Sequence, residues 1–290
     1  MNSVLTPRAD LPTLAQVVCQ VKGRIPRMDA RLLLQHTLGI DHVQFLTHGE
    51  RRLTPAQLEQ FMGLVMRRER EEPLAYLTGE REFYGRSFHV SPAVLIPRPD
   101  TELLVMLALE HVRHRPAPRI ADLGTGSGAV AVTLALECPT ARVTATDLSP
   151  DALAVARANG ERLGARVDFR QGDWLTPLAG ERFDLIVSNP PYVAAQDPHL
   201  AQNGLPFEPD LALTDGGDGL ACLRTIVAAA PACLVPGGWL FLEHGYDQAA
   251  AVRELLRAAG FKDIASRRDL GDIERVSGGR LPRADGDLAD

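Results

Sequence analysis

From residue 119 onward, short apolar runs alternate with stretches of helical periodicity. The runs are Ile120-Ala121-Asp122-Leu123, Arg142 to Asp147, Val167 to Gln171, Phe183 to Ser188 and Trp239 to Glu243. Strands separated by helices pair in parallel, because each crossover helix returns the chain to the same end of the sheet, and both faces are then covered. The pattern therefore predicts an α/β, doubly wound domain. Its strand ends gather on one edge, where sheets of this kind bind ligands.

The preceding residues follow another rule. Between Thr13 and Glu72 the apolar positions recur at helical spacing: Leu14, Val17, Val18 and Val21, then Leu32 to Leu34 and Leu38, then Phe61, Leu64 and Val65. Gly39 reads as a helix end, and Thr54-Pro55-Ala56-Gln57 as the capped start of another helix. Arg67 to Glu72 is a mixed-charge run, read as a solvated helix end with no site. Pro73 breaks the helix, and Phe83 to Val90 reads as a short hairpin linking two domains. The expected boundaries are a helical domain over 1–78, a hairpin linker over 79–95, the α/β domain over 96–283 and a polar tail over 284–290. A chain of 290 residues is long enough for two cores.

Bulk properties narrow the function classes. The net charge of −6 disfavours a surface that neutralises duplex phosphates, so no direct nucleic-acid partner is expected. No apolar run approaches the ~20 residues of a membrane span, and the N-terminus shows no signal-peptide core; no membrane partner and a cytoplasmic location are expected. Cys19, Cys138, Cys222 and Cys233 are scattered, which fits neither a disulfide framework nor a zinc site. His111 and His114 share a helix face but lack a third ligand, and read as an exposed basic helix end; no metal is expected. His244 reads as a packed histidine.

Three strand ends carry a candidate nucleoside site. Gly124-Thr125-Gly126-Ser127-Gly128 follows the first strand, where glycines let the backbone turn and approach a ligand without a Cβ in the way. Asp147 ends the second strand and is placed to accept both hydroxyls of a ribose, or else to cap the helix that follows. Gly172-Asp173-Trp174 closes the third, offering an acceptor and a ring face for adenine. Together they do not choose between S-adenosylmethionine and a nicotinamide cofactor.

Asn189-Pro190-Pro191-Tyr192 at the end of the fourth strand makes that choice. Consecutive prolines stiffen the loop and donate no N–H, so the Asn189 side-chain oxygen and the Pro190 carbonyl form a pair of acceptors. Two acceptors match the two donors of a planar NH2 group, and Tyr192 offers a ring to pack on it. Holding both protons of an amide favours positive charge developing on its nitrogen and aims the lone pair at a methyl group. A sulfonium is already a good leaving group, so the chemistry asks for no metal and no strong base.

At this point the chain resembles the N5-glutamine methyltransferases, and among them the peptide chain release factor enzymes of the PrmC/HemK family. The resemblance rests on Pro73 to Gly79, Leu95 to Glu102, Asp122 to Gly128, Gly172 to Trp174, Asn189 to Tyr192, Phe207-Glu208-Pro209 and Gly216 to Leu220. It implies a seven-stranded, Rossmann-like class I S-adenosylmethionine-dependent methyltransferase domain behind a small helical domain that recognises the substrate. By the same likeness Gly124, Thr125, Gly126, Ser127, Gly128, Asp147, Asp173, Trp174 and Asn189 would contact S-adenosylmethionine. Asn189, Pro190, Pro191, Tyr192 and Arg98 would meet the substrate, with Asn189, Pro190 and Tyr192 carrying catalysis. The implied partner is a class I release factor, through the glutamine of its Gly-Gly-Gln motif. Relatives that methylate a ribosomal protein typically carry Pro-Arg-Ser-Pro where this chain has Pro97-Arg98-Pro99-Asp100. An N6-adenine methyltransferase would fit the same loop but lacks a basic tract here. A non-catalytic binding module would have no use for the acceptor pair.

Overall fold

The computed structural model describes residues 11–202 and 204–283, and it divides after Gly79 into two compact units with separate cores. The tail expected at 284–290 lies outside the described residues.

The first unit is helical: α1 Leu14–Gln20, α2 Arg27–Leu38, α3 His42–Thr47, α4 Pro55–Arg68 and α5 Leu74–Thr78. Thr54 caps α4 as expected, with Gln57 returning the hydrogen bond, and Thr13 with Gln16 and Asp41 with Gln44 form the same reciprocal pair at α1 and α3. Each such cap contributes about 1 kcal/mol. Gly39, at φ +61°, ends α2. The apolar stripes meet in one core, where Val17, Leu33, Leu34, Phe61 and Val65 are fully buried. The mixed-charge run is more than a solvated end. Arg68 pairs with Asp29 at 2.7 Å, Glu69 with Arg24 at 2.7 Å and Arg67 with Glu72 at 2.5 Å, so it clasps the end of α4 to α2 and the turn before it. Exposed pairs of this kind contribute only about 0–1 kcal/mol each.

The second unit opens with the hairpin β1 Glu80–Phe83 and β2 Arg86–His89, turned at Tyr84-Gly85. A helical turn at Pro99–Thr101 leads into α6 Glu102–Val112. Then follow β3 Arg119–Leu123, α7 Ala129–Glu137, β4 Arg142–Asp147, α8 Pro150–Leu163, β5 Val167–Gln171 and β6 Phe183–Ser188. The chain continues through α9 Asp210–Leu213, α10 Ala221–Cys233, β7 Leu234–Glu243, α11 Ala249–Ala258, β8 Lys262–Arg268 and β9 Glu274–Arg280. The sheet order is β5-β4-β3-β6-β7-β9-β8, with β9 antiparallel to both neighbours and the other pairs parallel. This is the seven-stranded methyltransferase fold.

Side chains alternate across that sheet. Ile120, Leu185, Val187 and Phe241 face one core with α6, α7 and the hairpin residues Phe83 and Phe88, while Ala121, Leu123, Ile186, Leu240 and Leu242 face the other with α10 and α11. Strands buried on both faces are apolar throughout, which is why they were legible. The hairpin expected as a linker is fastened into this unit: Asn159 of α8 receives His89 N at 2.8 Å and donates to His89 O at 2.9 Å. Strand β7 starts at Leu234, ahead of the predicted Trp239. A shift in its pairing with β6 between Phe183 and Leu185 absorbs Pro236-Gly237-Gly238, which by composition reads as a turn. β3 lies between β4 and β6, so the chain leaves it in one direction and returns on the other. The crevice between the diverging loops after β3 and β6 is where ligands enter such sheets. No helix among the described residues is long and apolar enough to cross a membrane.

Candidate active site

Backbone geometry builds one end of the site. The loop after β3 is tied sideways to β4, with Gly124 N and Thr125 N both donating to Thr146 O at 2.9 Å. Gly124 sits at φ +70°, and a Cβ there would come within 3.1 Å of the Trp174 ring, so glycine is demanded by both conformation and space. Asp147 ends β4 and accepts from Gly126 N at 2.8 Å and Ser149 N at 2.9 Å, while Ser149 Oγ caps α8 through Ala152 N. The capping alternative thus falls to Ser149, and Asp147 turns to the glycine loop. Burial raises the Asp147 carboxyl above its usual range, partly offset by those N–H donors. Behind it Asp122, 2% exposed, accepts from the Thr125 hydroxyl at 2.6 Å, and burial pushes it up to about 7.

A cavity of about 320 Å³ opens along these strand ends, walled by Gly124, Gly126, Asp147, Asp173, Trp174, Asn189 and Pro191 among others. Such a volume suits a drug-sized ligand. A smaller recess of about 50 Å³ adjoins it, lined by Arg98, Thr101, Asp122, Thr125, Ser127 and Asn189. Asn189 is on the wall of both. Gly128 lines neither; a Cβ there would meet Ala156 at 3.2 Å, so its role is close packing of α7 on α8.

Hydrogen bonds from distant elements build the other end. Ser188 Oγ donates to Leu123 O at 2.7 Å and fixes the end of β6 against β3. Asn189 Nδ2 then donates to Thr101 Oγ1 at 3.1 Å. Neither Asn189 Oδ1 nor the Pro190 carbonyl accepts a hydrogen bond among the described residues. Beyond them Gln248 Nε2 donates to Tyr192 O at 2.9 Å and to Gly219 O at 3.2 Å. Gly219, at φ +78°, packs so closely that a Cβ would fall 2.4 Å from Tyr192 O. Asp215 braces that loop by accepting from Gly217 N, Gly219 N and Ala221 N at 2.7–3.0 Å. Arg98 pairs with Glu208 at 2.5 Å, and Glu208 also accepts from Ile96 N at 3.0 Å, which joins Pro97-Arg98 to Phe207-Glu208-Pro209.

Tyr192 turns its hydroxyl inward, 3.4 Å from Glu243 Oε1 at the end of β7. Burial and the neighbouring carboxyl raise that phenol above its ordinary value. Glu243 itself is 1% exposed and burial lifts it to about 7, with Asp100 adding to the rise and Thr101, Tyr192 and Arg275 opposing it. Arg275 lies 3.0 Å from Asp269 and 3.5 Å from Asp100. Thr101 lies within the Leu95 to Glu102 stretch, where the resemblance implies no role for it, and the parts played by Thr101, Gln248 and Arg275 come from long-range approach. Glu243 carried one, a carboxylate ending an apolar strand on the same edge as Asp147 and Asn189.

The histidines separate. His244 is fully buried, 2.7 Å from Ser277 Oγ, as a packed residue. His111 is not an exposed helix end: its ring lies 4.4 Å from Trp239 and 4.8 Å from Phe241, because α6 lays that face on β7. No cluster of three metal-ligating side chains occurs among the described residues.

Comparison with known proteins agrees with this architecture. A model described as Methyltransferase small domain matches residues 101–218, and one described as PrmC N-terminal domain matches residues 14–79. A release factor glutamine methyltransferase of Bordetella pertussis is 56% identical over 89% of this chain and 96% of its own length. One from Burkholderia pseudomallei is 54% identical over 88% of this chain and 92% of its own length. Among solved structures, a methyltransferase from Pyrococcus furiosus superposes with a TM-score of 0.54 at 19% identity, covering 69% of this chain and 91% of that one, a likeness of fold alone.

Proposed function

This chain belongs to the family of release factor glutamine methyltransferases, and we propose that it methylates the side-chain amide nitrogen (N5) of the glutamine in the Gly-Gly-Gln motif of class I peptide chain release factors. The observation that carries the reading is the pair of free acceptors, Asn189 Oδ1 and the Pro190 carbonyl, at the crevice between β3 and β6. Acceptors on two consecutive residues suit a primary amide, whose two N–H groups need partners once water is excluded.

The lining of the cavity fits S-adenosylmethionine as cofactor. Asp147 would take the ribose hydroxyls, Trp174 and Asp173 would flank the adenine, and Gly124 and Gly126 would pass beneath with no Cβ to block approach. Bound there, S-adenosylmethionine supplies a methyl group on a cationic sulfur that leaves as a neutral thioether. Asn189 and Pro190 hold the glutamine NH2 by both protons, draw its lone pair out of conjugation with the carbonyl and aim it in line with the methyl carbon. As the N–C bond forms, nitrogen gains positive charge and one N–H loses its proton to solvent by way of those acceptors. Tyr192, which lines neither cavity and turns its hydroxyl to Glu243, would back the Asn189-Pro190 segment, and Arg98, held by Glu208, would meet the substrate. The helical unit would recognise the release factor beyond its glutamine loop. The expected product is one added methyl on the Gly-Gly-Gln glutamine when the enzyme meets a release factor and S-adenosylmethionine, read by peptide mass spectrometry. Methyl appearing on a ribosomal protein or a nucleic acid, with the release factor untouched, overturns it.

A further inference from the structure

An asparagine amide is almost symmetric in shape, yet only its oxygen can accept a proton from a substrate NH2; turned over, it presents donors to donors. Something must choose between the two orientations of Asn189. We propose that Thr101 and Glu243 are positioning residues that fix Asn189 with its oxygen towards the substrate, an inference that rests on the glutamine-amide reading above. The Thr101 hydroxyl carries a single proton. Glu243, buried at the end of β7, accepts from the Tyr192 hydroxyl at 3.4 Å, and Thr101 and Tyr192 both favour its charged form. Its Oε2 is buried with no hydrogen-bond partner among the described residues, an open acceptor towards which the Thr101 proton can turn. With the Thr101 proton turned to Glu243, only lone pairs remain for Asn189, which must answer with Nδ2, the contact seen at 3.1 Å. The oxygen is then left for the cavity that Asn189 lines.

Protonation of Glu243 reverses the chain. A carboxylic acid donates to Thr101, the threonine proton turns to Asn189, and the amide is drawn over to present its oxygen to the wrong side. The charged groups facing Glu243 are Asp100 beside Thr101, which favours protonation, and Arg275 of β9, which opposes it; Tyr192, after β6, is in turn influenced by Arg98. The pair Asp100 and Arg275, 3.5 Å apart, thus sets the state of a group neither holds directly.

The test uses the full-length enzyme with a release factor and S-adenosylmethionine. T101V keeps the shape and removes the hydroxyl; its kcat is expected to fall about tenfold to a hundredfold, less than for loss of a group touching the reacting atoms, with KM for S-adenosylmethionine nearly unchanged. T101S restores the rate. Wild-type kcat should show an acidic limb as Glu243 protonates, and E243Q should lose it. If T101V fails to fold, the limb and its loss in E243Q decide the question. A readout independent of substrate is the side-chain NH2 signal of Asn189 in 15N-labelled enzyme, where one proton exchanges slowly in wild type and fast in T101V. Unchanged kcat in T101V, or exchange indifferent to that substitution, overturns the inference. If the wild type methylates no release factor, the functional reading falls instead, and the exchange measurement alone judges the orientation.

Discussion

The two ends of the cavity are made in opposite ways. At the Asp147 end the parts are local: a glycine turn leaves β3, a carboxylate ends β4 and a tryptophan follows β5, and each contact joins a strand end to its neighbour. At the Asn189 end the decisive contacts join residues far apart in the chain, Asn189 to Thr101, Tyr192 to Glu243 and Gln248 to both Tyr192 and Gly219. The first end is shaped by where side chains are missing and the second by where they are pinned. Damage should therefore register differently, as lost cofactor affinity at one end and lost turnover at the other.

The sharpest way to break that contrast is Asn189→Ala. It removes an acceptor needed as charge develops on the amide, so kcat should drop on the order of a hundredfold or more while calorimetric affinity for S-adenosylmethionine changes little. Comparable losses in both would mean the two ends are not separable. Next in size is Gly219→Ala. With φ at +78° and the new Cβ 2.4 Å from Tyr192 O, the loop must shift, at a cost of roughly 1–3 kcal/mol in stability and a fall in kcat. A thermal midpoint and rate equal to wild type would show that the close approach is dispensable.

Asp147→Asn is milder and acts at the other end. Half the acceptor capacity is lost while the shape remains, so the dissociation constant for S-adenosylmethionine should rise about tenfold with kcat at saturation preserved. Loss confined to kcat would move Asp147 out of the cofactor end. The smallest effect is on pH-dependent stability. Asp122 and Glu243 have folded-state values raised to about 7 from 3.8 and 4.5, so the folded chain keeps protons that the unfolded chain has released. Their contribution is present at low pH and lost as pH rises through about 7. Between pH 6.5 and 7.5 the unliganded protein should lose on the order of 1 kcal/mol that the double variant D122N/E243Q does not lose, measured by urea midpoints. A flat profile in the wild type would mean that both carboxyls titrate normally.

How much was legible follows the same division. β4, β5 and β6 were readable to the residue, β4 and β6 because interior strands covered on both faces carry apolar runs, and the edge strand β5 because Val167 and Phe169 alternate with polar residues. The edge strand β8, Lys262–Arg268, is half polar and β9 holds Gly278-Gly279, so neither announces itself; they form because β7 offers an edge to pair with. His111 was misjudged because an exposed-looking helix end says nothing of the aromatic pair on β7 that covers it.

By itself, then, the sequence determined the α/β alternation, the helical unit with its Thr54 cap, the glycine turn, Asp147 at a strand tip and the stiff Asn189 to Tyr192 loop. Each of these is a local matter of periodicity, missing Cβ atoms or proline geometry. Tertiary structure alone decided which atom of Asn189 is spent on Thr101 and which is left free, that Glu243 sits behind Tyr192, and that Gly219 lies against its carbonyl. A hydrogen bond depends on distance and direction between groups, and residues scores of positions apart acquire those only when the sheet brings their strand ends to one edge.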